Sequence, residues 1–379
     1  MRLLRRRRPR VGVVVPAYGV ERWLPECLAS LVAQEHREWE AVVVDDGSPD
    51  RSGEVAEEWA RRDPRIRVLH TPNGGLGAAR NAGVRHLSTD LLAFLDADDV
   101  LPPTAYRVLV DALESSGSDF AAGSMQRWED GRLTEPGWMA RTHRPPLRGA
   151  RIEDRPLLLG DVFAWDKLFR RSFWESAGLS WPEGVSYEDQ PTTTRAFLAG
   201  RFDVLSDVVY HWRIRTDGSS LTQQRASVPD LADRWATKRW SLDSVRAHGD
   251  PALTDVFLTR VLPGDLWRYF LEIPGCPDEW WDLLVAGVRE LWGERSLVAS
   301  GLNPVHRLCG WLVEQDRRED ATRVAEWVRG LDGPAPRLEP GAVGPDGRVH
   351  DGPAVIVVPP EVLDTSTVDP AALSARPGG

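Results

Sequence analysis

A short apolar run in the sequence ends abruptly in acidic residues. Leu91 to Leu95 carries only apolar side chains and is followed at once by Asp96-Ala97-Asp98-Asp99. An apolar run of this length, without polar alternation, predicts a strand that is buried on both faces of a parallel sheet. Side chains along an extended chain alternate with period two, so Asp96 and Asp98 are expected to point to the same side.

Two carboxylates side by side repel each other and require a compensating positive charge. A hard divalent cation such as Mg²⁺ or Mn²⁺ supplies that charge and keeps coordination positions open for phosphate oxygens. The carboxyl ends of parallel strands are also where open α/β sheets bind their ligands. The alternative is a turn at the end of the strand, in which Asp99 caps the helix that follows Pro102-Pro103.

A second acidic pair precedes a predicted helix. The segment Ser186-Tyr187-Glu188-Asp189-Gln190-Pro191 leads into a helical pattern over Thr192–Ala199. Asp189 or Gln190 suits the N-cap of this helix, with Pro191 near its first position. A carboxylate at a helix N-terminus is held in its ionised form, so the pair suits either a capping or a chemical role.

The elements that must position these acids alternate between strand and helix. Strands are predicted at 11–15, 40–44, 66–70 and 91–95, with amphipathic helices between them. This order implies right-handed crossovers and a mostly parallel, doubly wound α/β sheet. The strand ends then bring Pro16-Ala17-Tyr18, Asp45-Asp46 and Asp96-Ala97-Asp98 to one edge.

A later strand carries a row of basic side chains. Alternation over Val208–Arg215 places His211, Arg213 and Arg215 on one face. Such a row is costly to bury unless it meets anions. An exposed edge strand with ordinary surface charges is the alternative.

The glycine-rich stretch has a competing interpretation as a dinucleotide-binding fingerprint. Gly75-x-Gly77-x-x-Arg80 is one glycine short of that motif, and Asp96 follows at about the required twenty residues. Arg80, however, replaces the small residue that close helix–strand packing needs. A nicotinamide cofactor would also leave Asp45-Asp46 unexplained.

Four motifs together resemble the family 2 glycosyltransferases of the GT-A fold over about residues 10–225. They are Val-Pro-Ala-Tyr (15–18), Val-Asp-Asp-Gly-Ser (44–48), Asn-Gly-Gly-Leu-Gly-Ala-Ala-Arg-Asn (73–81) and Phe-Leu-Asp-Ala-Asp-Asp (94–99). The resemblance implies a uridine pocket lined by Pro16, Ala17, Tyr18 and Glu21. It further implies that Asp46 pairs with the base edge and that Arg80 and Asn81 face the nucleotide. Gly19 departs from the family, which more often has Asn at this position.

The resemblance also implies a metal-dependent, inverting transfer. Asp96 and Asp98, with His211, would hold Mn²⁺ or Mg²⁺, while Ala97, His211 and Arg213 would complete the nucleotide-sugar site. A sugar hydroxyl must lose its proton as it attacks, so a general base is needed. By resemblance we assign Asp189 as that base and Glu188 as its acceptor-orienting neighbour. UDP is the expected nucleotide, and the expected acceptor is a saccharide or polyol-phosphate polymer of the bacterial cell surface, such as a teichoic-acid-like chain.

Composition limits the remaining choices. The chain has 379 residues and a net charge of −10, which argues against general nucleic-acid binding. No apolar run reaches the roughly 18 residues that a membrane span needs. The basic segment 1–10 lacks a hydrophobic region after it and is therefore not a signal peptide. It is either a disordered tail or a peripheral contact with the inner face of the membrane, and we expect a cytoplasmic protein.

The second half of the chain has a different character. The predicted glycosyltransferase domain, residues 11–225, is followed by a Trp-rich helical domain at 228–332 and a Pro/Gly-rich tail at 333–379 with one predicted strand at 354–358. The tryptophans, Trp280 and Trp281 among them, form either a core or a surface for sugars or membranes.

Two other functions stay open. A nucleotidyltransferase should carry a Gly-rich loop with Lys after the first strand, and a non-catalytic sugar-binding or scaffold protein would have little reason to keep Asp96, Asp98 and Asp189.

Overall fold

A computed structural model describes residues 8–215, 225–293, 295–330, 348–349 and 356–357. The chain forms two compact units, residues 1–219 and 220–379. The strands of the first unit are β1 (Val11–Ala17), β2 (Trp39–Asp45), β3 (Ile66–His70), β4 (Leu91–Phe94), β5 (Phe120–Glu129), β6 (Arg132–Thr134), β7 (Leu147–Ala150), β8 (Lys167–Arg170) and β9 (Phe202–Arg213). Its helices are α1 (Leu24–Val32), α2 (Ser52–Arg62), α3 (Leu76–Arg85), α4 (Ala105–Ser116), α5 (Gly137–His143), α6 (Arg171–Ser176) and α7 (Asp189–Ala199), with 3₁₀ turns at Ile152–Asp154 and Pro156–Gly160.

One sheet organises the first unit. Its strand order is β3-β2-β1-β4-β8-β5-β9-β7, with β6 paired to β5. The strands β1 to β4 pair in parallel, which confirms the predicted doubly wound start. β1 is buried along its whole length and β2 along nearly all of it, as their valine runs predicted. The carboxyl ends of β1, β2 and β4 therefore meet at one edge of the sheet.

An antiparallel strand joins the two halves of this sheet. β8 runs antiparallel to both β4 and β5, while β5 and β9 pair in parallel. Its four residues were not predicted as a strand, because a stretch this short carries no readable periodicity. β8 places Trp165 and Asp166, which precede it, beside the end of β4.

The second unit is helical, as predicted. Its helices are α8 (Val228–His248), α9 (Pro251–Val256), α10 (Leu266–Phe270), α11 (Asp278–Trp292), α12 (Pro304–Glu314) and α13 (Arg318–Arg329), with a π-helical turn at Phe257–Val261 and 3₁₀ turns at Leu262–Asp265 and Leu297–Ala299. Trp280 and Trp281 are 0% and 4% exposed, so these rings belong to the core and not to a surface for sugars. Their indole N–H groups donate to the Arg225 carbonyl and to Asp316.

Part of the C-terminal tail is also described. β10 (Arg348–Val349) and β11 (Ile356–Val357) pair antiparallel, and β11 overlaps the predicted strand at 354–358. The rest of the predicted tail and most of the basic segment 1–10 lie outside the described residues. Among the helices that the structure describes, none combines the length and the hydropathy required to cross a bilayer.

Candidate active site

The acidic turn after β4 is held by hydrogen bonds to β1 and to β9. The backbone N–H of Leu95 donates to the carbonyl of Val14 on β1, at 3.0 Å. The N–H of Asp96 donates to the hydroxyl of Tyr210 on β9, at 3.2 Å. The backbone of the turn is therefore fixed before any ligand binds.

Asp99 serves this turn and not the following helix. Its carboxylate accepts the Tyr210 hydroxyl at 2.8 Å and the backbone N–H of Arg213 at 2.7 Å. α4 instead begins after Thr104, without a side-chain cap, so the capping interpretation of Asp99 is wrong. Burial, with the charges of Asp98 and Asp96, raises the pKa of Asp99 well above its usual range.

Tyr210 is a site residue that the sequence did not single out. Its ring is fully buried and stacks on Trp165 with the ring centroids 4.0 Å apart. The alternation of side chains along β9 could have identified Tyr210, because its ring lies on the opposite face of the sheet from His211 and Arg213. It links β9 to the acidic turn through its hydroxyl.

Two arginines at the end of β9 meet Asp98. Arg215 contacts the Oδ2 of Asp98 through Nε at 2.7 Å and Nη2 at 2.6 Å. Arg213 donates to the backbone carbonyl of Asp98 at 2.7 Å and pairs with Glu26 at the same distance. The predicted basic row thus meets the acidic turn, and Arg213 braces its backbone.

Arg80 lies between the two acidic motifs. Its guanidinium donates to the Oδ1 of Asp96 at 2.8 Å and, from its other end, to the Oε1 of Glu188. The side chain is 2% exposed and lies over the Trp181 ring. Burial alone would lower the pKa of Arg80, but the carboxylates of Asp96, Glu188 and Asp189 outweigh it and raise the pKa. The predicted role of facing a nucleotide stays a prediction; the observed contacts make Arg80 a bridge.

The two members of the second acidic pair have different surroundings. Glu188 is 3% exposed, and burial raises its pKa to about 7 against the opposing charge of Arg80. Asp189 is only partly buried and is the first residue of α7, where it accepts the backbone N–H of Gln190 at 2.8 Å. Of the two, Asp189 is the carboxylate that solvent and ligands can reach. Tyr187, just before the pair, has φ 65°, a left-handed conformation that costs a tyrosine about 1–2 kcal/mol.

A close approach of α3 fixes the loop that carries this pair. A Cβ on Gly77 would lie 2.0 Å from the carbonyl oxygen of Pro182, so only glycine fits here. Asn81, one turn further along α3, donates to the Trp181 carbonyl and to Glu183, both at 2.8 Å, and accepts the Trp181 N–H at 3.0 Å. These contacts give Asn81 a structural role in holding the loop, and its predicted contact with the nucleotide stays a prediction.

We expect Gly77→Ala to lower the transfer rate strongly. The added methyl must push the loop away from α3, and a displacement of about 1 Å at a reacting group can cost about 10²-fold in rate. The measurement is kcat at saturating donor. Gly264→Ala is the matched control, because nothing lies within 4 Å of its Cβ position. Unchanged kcat in Gly77→Ala would show that the loop position is not critical.

The residues predicted to line the uridine pocket differ in how far they are exposed. Tyr18, just past β1, is an aromatic residue with 52% of its surface exposed, as a base-stacking ring requires. Pro16 and Ala17 are buried within β1, so only their backbone atoms could reach a ligand. Ala97 is likewise 3% exposed. Glu21 accepts the backbone N–H of Arg51 at 2.9 Å and thereby ties this segment to the start of α2.

Asp46 is engaged by the glycine-rich turn. Its carboxylate accepts the backbone N–H groups of Gly74 at 2.9 Å and Gly75 at 2.8 Å, and the Thr71 hydroxyl at 3.2 Å. Two of these donors share Oδ1 and one meets Oδ2, so Oδ2 can still accept one further hydrogen bond, such as one from a base edge. The pairing of Asp46 with a base therefore stays a prediction, and the observed role is to shape the turn before α3.

His211 is half-buried, and burial lowers the pKa of its imidazole. Its backbone forms a two-bond bridge with Val100 beyond the acidic turn. Within the described ranges, Asp96, Asp98 and His211 are not a group whose ligand atoms all lie within 4.8 Å of one another. A metal held by all three would require local rearrangement, and the predicted His211 ligand stays a prediction.

The two aspartates alone do suit a hard cation. Of the two carboxylate oxygens of Asp96, Arg80 contacts Oδ1. Of the two oxygens of Asp98, Arg215 contacts Oδ2. Each carboxylate thus keeps a second oxygen, the ligand type that Mn²⁺ and Mg²⁺ prefer. Burial, partly offset by Arg215, raises the pKa of Asp98, with the charge of Asp96 adding to the effect.

Comparisons with known proteins place this arrangement in context. Residues 12–176 match the family model described as Glycosyl transferase family 2. The chain is 33% identical over 228 residues to the uncharacterized glycosyltransferase EpsJ of Bacillus subtilis (strain 168), covering 57% of this chain and 63% of EpsJ. It is 26% identical over 257 residues to the poly(ribitol-phosphate) beta-N-acetylglucosaminyltransferase TarS of Staphylococcus aureus, covering 66% of this chain and 44% of TarS. The chain thus spans less than two thirds of either relative.

Solved structures show the same fold. The crystal structure of S. aureus TarS 1–349 in complex with UDP-GlcNAc superposes with a TM-score of 0.65 at 19% identity, covering 84% of this chain and 91% of that one. Another crystal structure of S. aureus TarS 1–349 gives a TM-score of 0.64 at 21% identity, with the same coverage of both chains. The predicted GT-A type of α/β fold is thereby confirmed, together with the helical part that follows it.

Proposed function

We propose that this chain, whose residues 12–176 match the model described as Glycosyl transferase family 2, moves a sugar from a nucleotide-diphosphate donor to a polymer hydroxyl. The proposed donor is a UDP-sugar, and the proposed acceptor is a polysaccharide or a polyol-phosphate chain. The bridge made by Arg80 carries the proposal. It joins Asp96, on the donor side, to Glu188, which adjoins the proposed base.

In the proposed reaction Asp189 accepts the proton of the attacking hydroxyl. The acceptor oxygen forms a bond to the anomeric carbon while the bond from that carbon to the diphosphate oxygen breaks, so the centre inverts. The N-terminus of α7 favours the ionised form of Asp189 before the step. Glu188, held by Arg80, fixes the backbone from which Asp189 projects.

Asp96 and Asp98 would hold a Mn²⁺ or Mg²⁺ ion against the diphosphate. Such an ion acts as a Lewis acid that neutralises charge on the departing nucleotide. Arg215 would then exchange part of its contact with Asp98 for phosphate oxygens. Tyr18 would stack on the base, for which its exposed ring is suited.

The proposal also covers the acceptor class and the cellular site of the reaction. S. aureus TarS, which shares the fold, is a transferase acting on poly(ribitol-phosphate), and this supports a cell-surface polymer as the acceptor class. We place the reaction in the cytoplasm, with the basic N-terminal segment as a peripheral contact with the membrane.

A screen of nucleotide sugars tests the function and the metal together. We expect one UDP-sugar to raise the melting temperature in the presence of Mn²⁺, because a ligand at 100 times its Kd adds about 2.7 kcal/mol to the free energy of unfolding. Chelation and Asp98→Asn should abolish the shift, while Asp243→Asn, an exposed acid on α8, should not. If no nucleotide sugar stabilises the wild type, the function is refuted. An equal shift in EDTA would refute only the metal.

A further inference from the structure

A second polar cluster lies within the first unit, outside the proposed active site. His143 ends α5, Asp161 follows the turn at Pro156–Gly160, and Asp166 precedes β8. All three side chains are 0% exposed. One ligand atom from each lies within 4.8 Å of the other two, and this is the only such group of three within the described residues.

Lys167 already satisfies one oxygen of each carboxylate. Its ammonium donates to the Oδ1 of Asp161, the Oδ1 of Asp166 and the carbonyl of Phe163, each at 2.8 Å. The Oδ2 atoms of Asp161 and Asp166 are buried without a hydrogen-bond partner. Lys167 therefore orients both carboxylates and leaves two oxygens unsatisfied.

The surroundings of His143 favour one tautomer. The single proton of the Thr142 hydroxyl lies between the carbonyls of Trp138, at 3.0 Å, and Met139, at 3.1 Å. The Nδ1 of His143 is 3.2 Å from that hydroxyl oxygen and 3.3 Å from the Met139 carbonyl, and these two acceptors favour the tautomer with the proton on Nδ1. In a neutral imidazole Nε2 then has a bare lone pair, 3.4 Å from the Oδ2 of Asp161. A His held through Nδ1–H by a carbonyl is the usual form of a metal ligand.

The cluster thus contains three buried lone-pair atoms with no donor between them. A buried polar atom without a partner destabilises the fold, so the arrangement favours an occupant that bonds to all three atoms. A proton on His143 or Asp166 would satisfy two of the three atoms, and a water has two hydrogens for three acceptors. One cation would satisfy all three.

We propose that His143, Asp161 and Asp166 bind a divalent transition-metal ion, with Zn²⁺ as the best match, at a structural site separate from the active site. One imidazole and two carboxylates form a ligand set that suits Zn²⁺. The ion joins α5, the turn before Asp161 and the start of β8. Because the site has no exposed ligand, the ion enters as the unit folds and exchanges slowly afterwards.

Metal analysis of the full chain tests the proposal independently of transfer. After dialysis against EDTA, which strips exposed sites, the wild type should keep about one equivalent of zinc and release it on unfolding. His143→Ala and Asp166→Asn should both lose it. His36→Ala is the control, since His36 is a buried histidine that contacts only the Pro9 and Glu38 carbonyls in the described structure.

A second readout does not depend on how well the variants fold. Wild-type protein produced with Co²⁺ in the medium should show the visible absorption bands of a low-symmetry cobalt site, and Asp96→Asn should keep them. Wild type without stoichiometric metal and without these bands would overturn the proposal, leaving protons as the occupants. Zinc that survives in both His143→Ala and Asp166→Asn would overturn it equally.

Discussion

Replacing Asp189 by asparagine is expected to lower kcat by about 10²–10⁴-fold, the range typical of removing a general base. Asparagine keeps the shape of the side chain and can still contact the backbone, but it cannot take the proton of the acceptor hydroxyl. The affinity for the UDP-sugar should change little, because the donor is proposed to bind at Asp96 and Asp98. The measurements are kcat by product release and donor affinity by calorimetry.

A matched control separates chemistry from the helix-terminus effect. Asp278 is also the first residue of an α-helix, α11, and is 92% exposed. Asp278→Asn should lose the interaction with the helix dipole, about 0.3–1 kcal/mol of stability, together with its exposed ion pair with Arg318, and leave kcat unchanged. If Asp189→Asn behaved in the same way, with a lower melting temperature and full kcat, Asp189 would be a capping residue and the base would lie elsewhere.

Arg80→Met is expected to destabilise the first unit and to abolish transfer. The change keeps most of the buried volume but leaves Glu188 buried without its cation, and breaking one side of a buried ion pair costs about 3–5 kcal/mol. Arg80→Lys should fall between the two, since one ammonium cannot span carboxylates that now bind opposite ends of a guanidinium. Adding Glu188→Gln to Arg80→Met should recover stability but not kcat. A double variant as unstable as the single one would refute the bridge.

The same bridge sets a dependence on pH. The pKa of Glu188 in the folded protein, about 7, lies above its ordinary value of 4.5. The folded state therefore binds the proton more tightly, so this stability contribution is complete below about pH 4.5 and is lost as the pH rises through 7. Removing Arg80 should raise the pKa of Glu188 further. Melting temperatures at pH 5 and pH 8 should then differ more for Arg80→Met than for wild type, and Glu188→Gln should cancel the added difference.

The sequence was most informative where one local signal was enough. The valine runs of β1 and β2 and the apolar run before Asp96 each predicted a buried strand. A strand that is buried on both faces needs apolar side chains at consecutive positions, and such a run is visible in the sequence. The resemblance brought Asp96, Asp98, Glu188 and Asp189 into one site, and the structure places Arg80 in contact with both motifs.

Contacts between distant segments could not be predicted in the same way. The resemblance suggested Asp46 as a partner of the base, which stays a prediction; its bonds to the Gly74 and Gly75 amides depend on the path of the turn and could not be predicted. Asp99 fitted a helix cap by spacing but meets Tyr210 across the sheet. The cluster of His143, Asp161 and Asp166 joins the end of α5 to the connection before β8, so the position of His143 could not be predicted from spacing along the chain.

The long reach of the site contacts has a consequence for how the protein is made. Arg80 and Glu188 are 108 residues apart in the chain, and Asp98 and Arg215 are 117 apart. At a synthesis rate of about 5–20 residues per second, Asp98 leaves the ribosome roughly 6–23 s before Arg215. During that interval Asp98 cannot contact Arg215. The chain between them must first close a long loop, at a cost in conformational entropy, before the ion pair can form. We therefore expect the sheet around β1 to form first on the ribosome, and the arginine contacts of the site to form only after β9 has emerged.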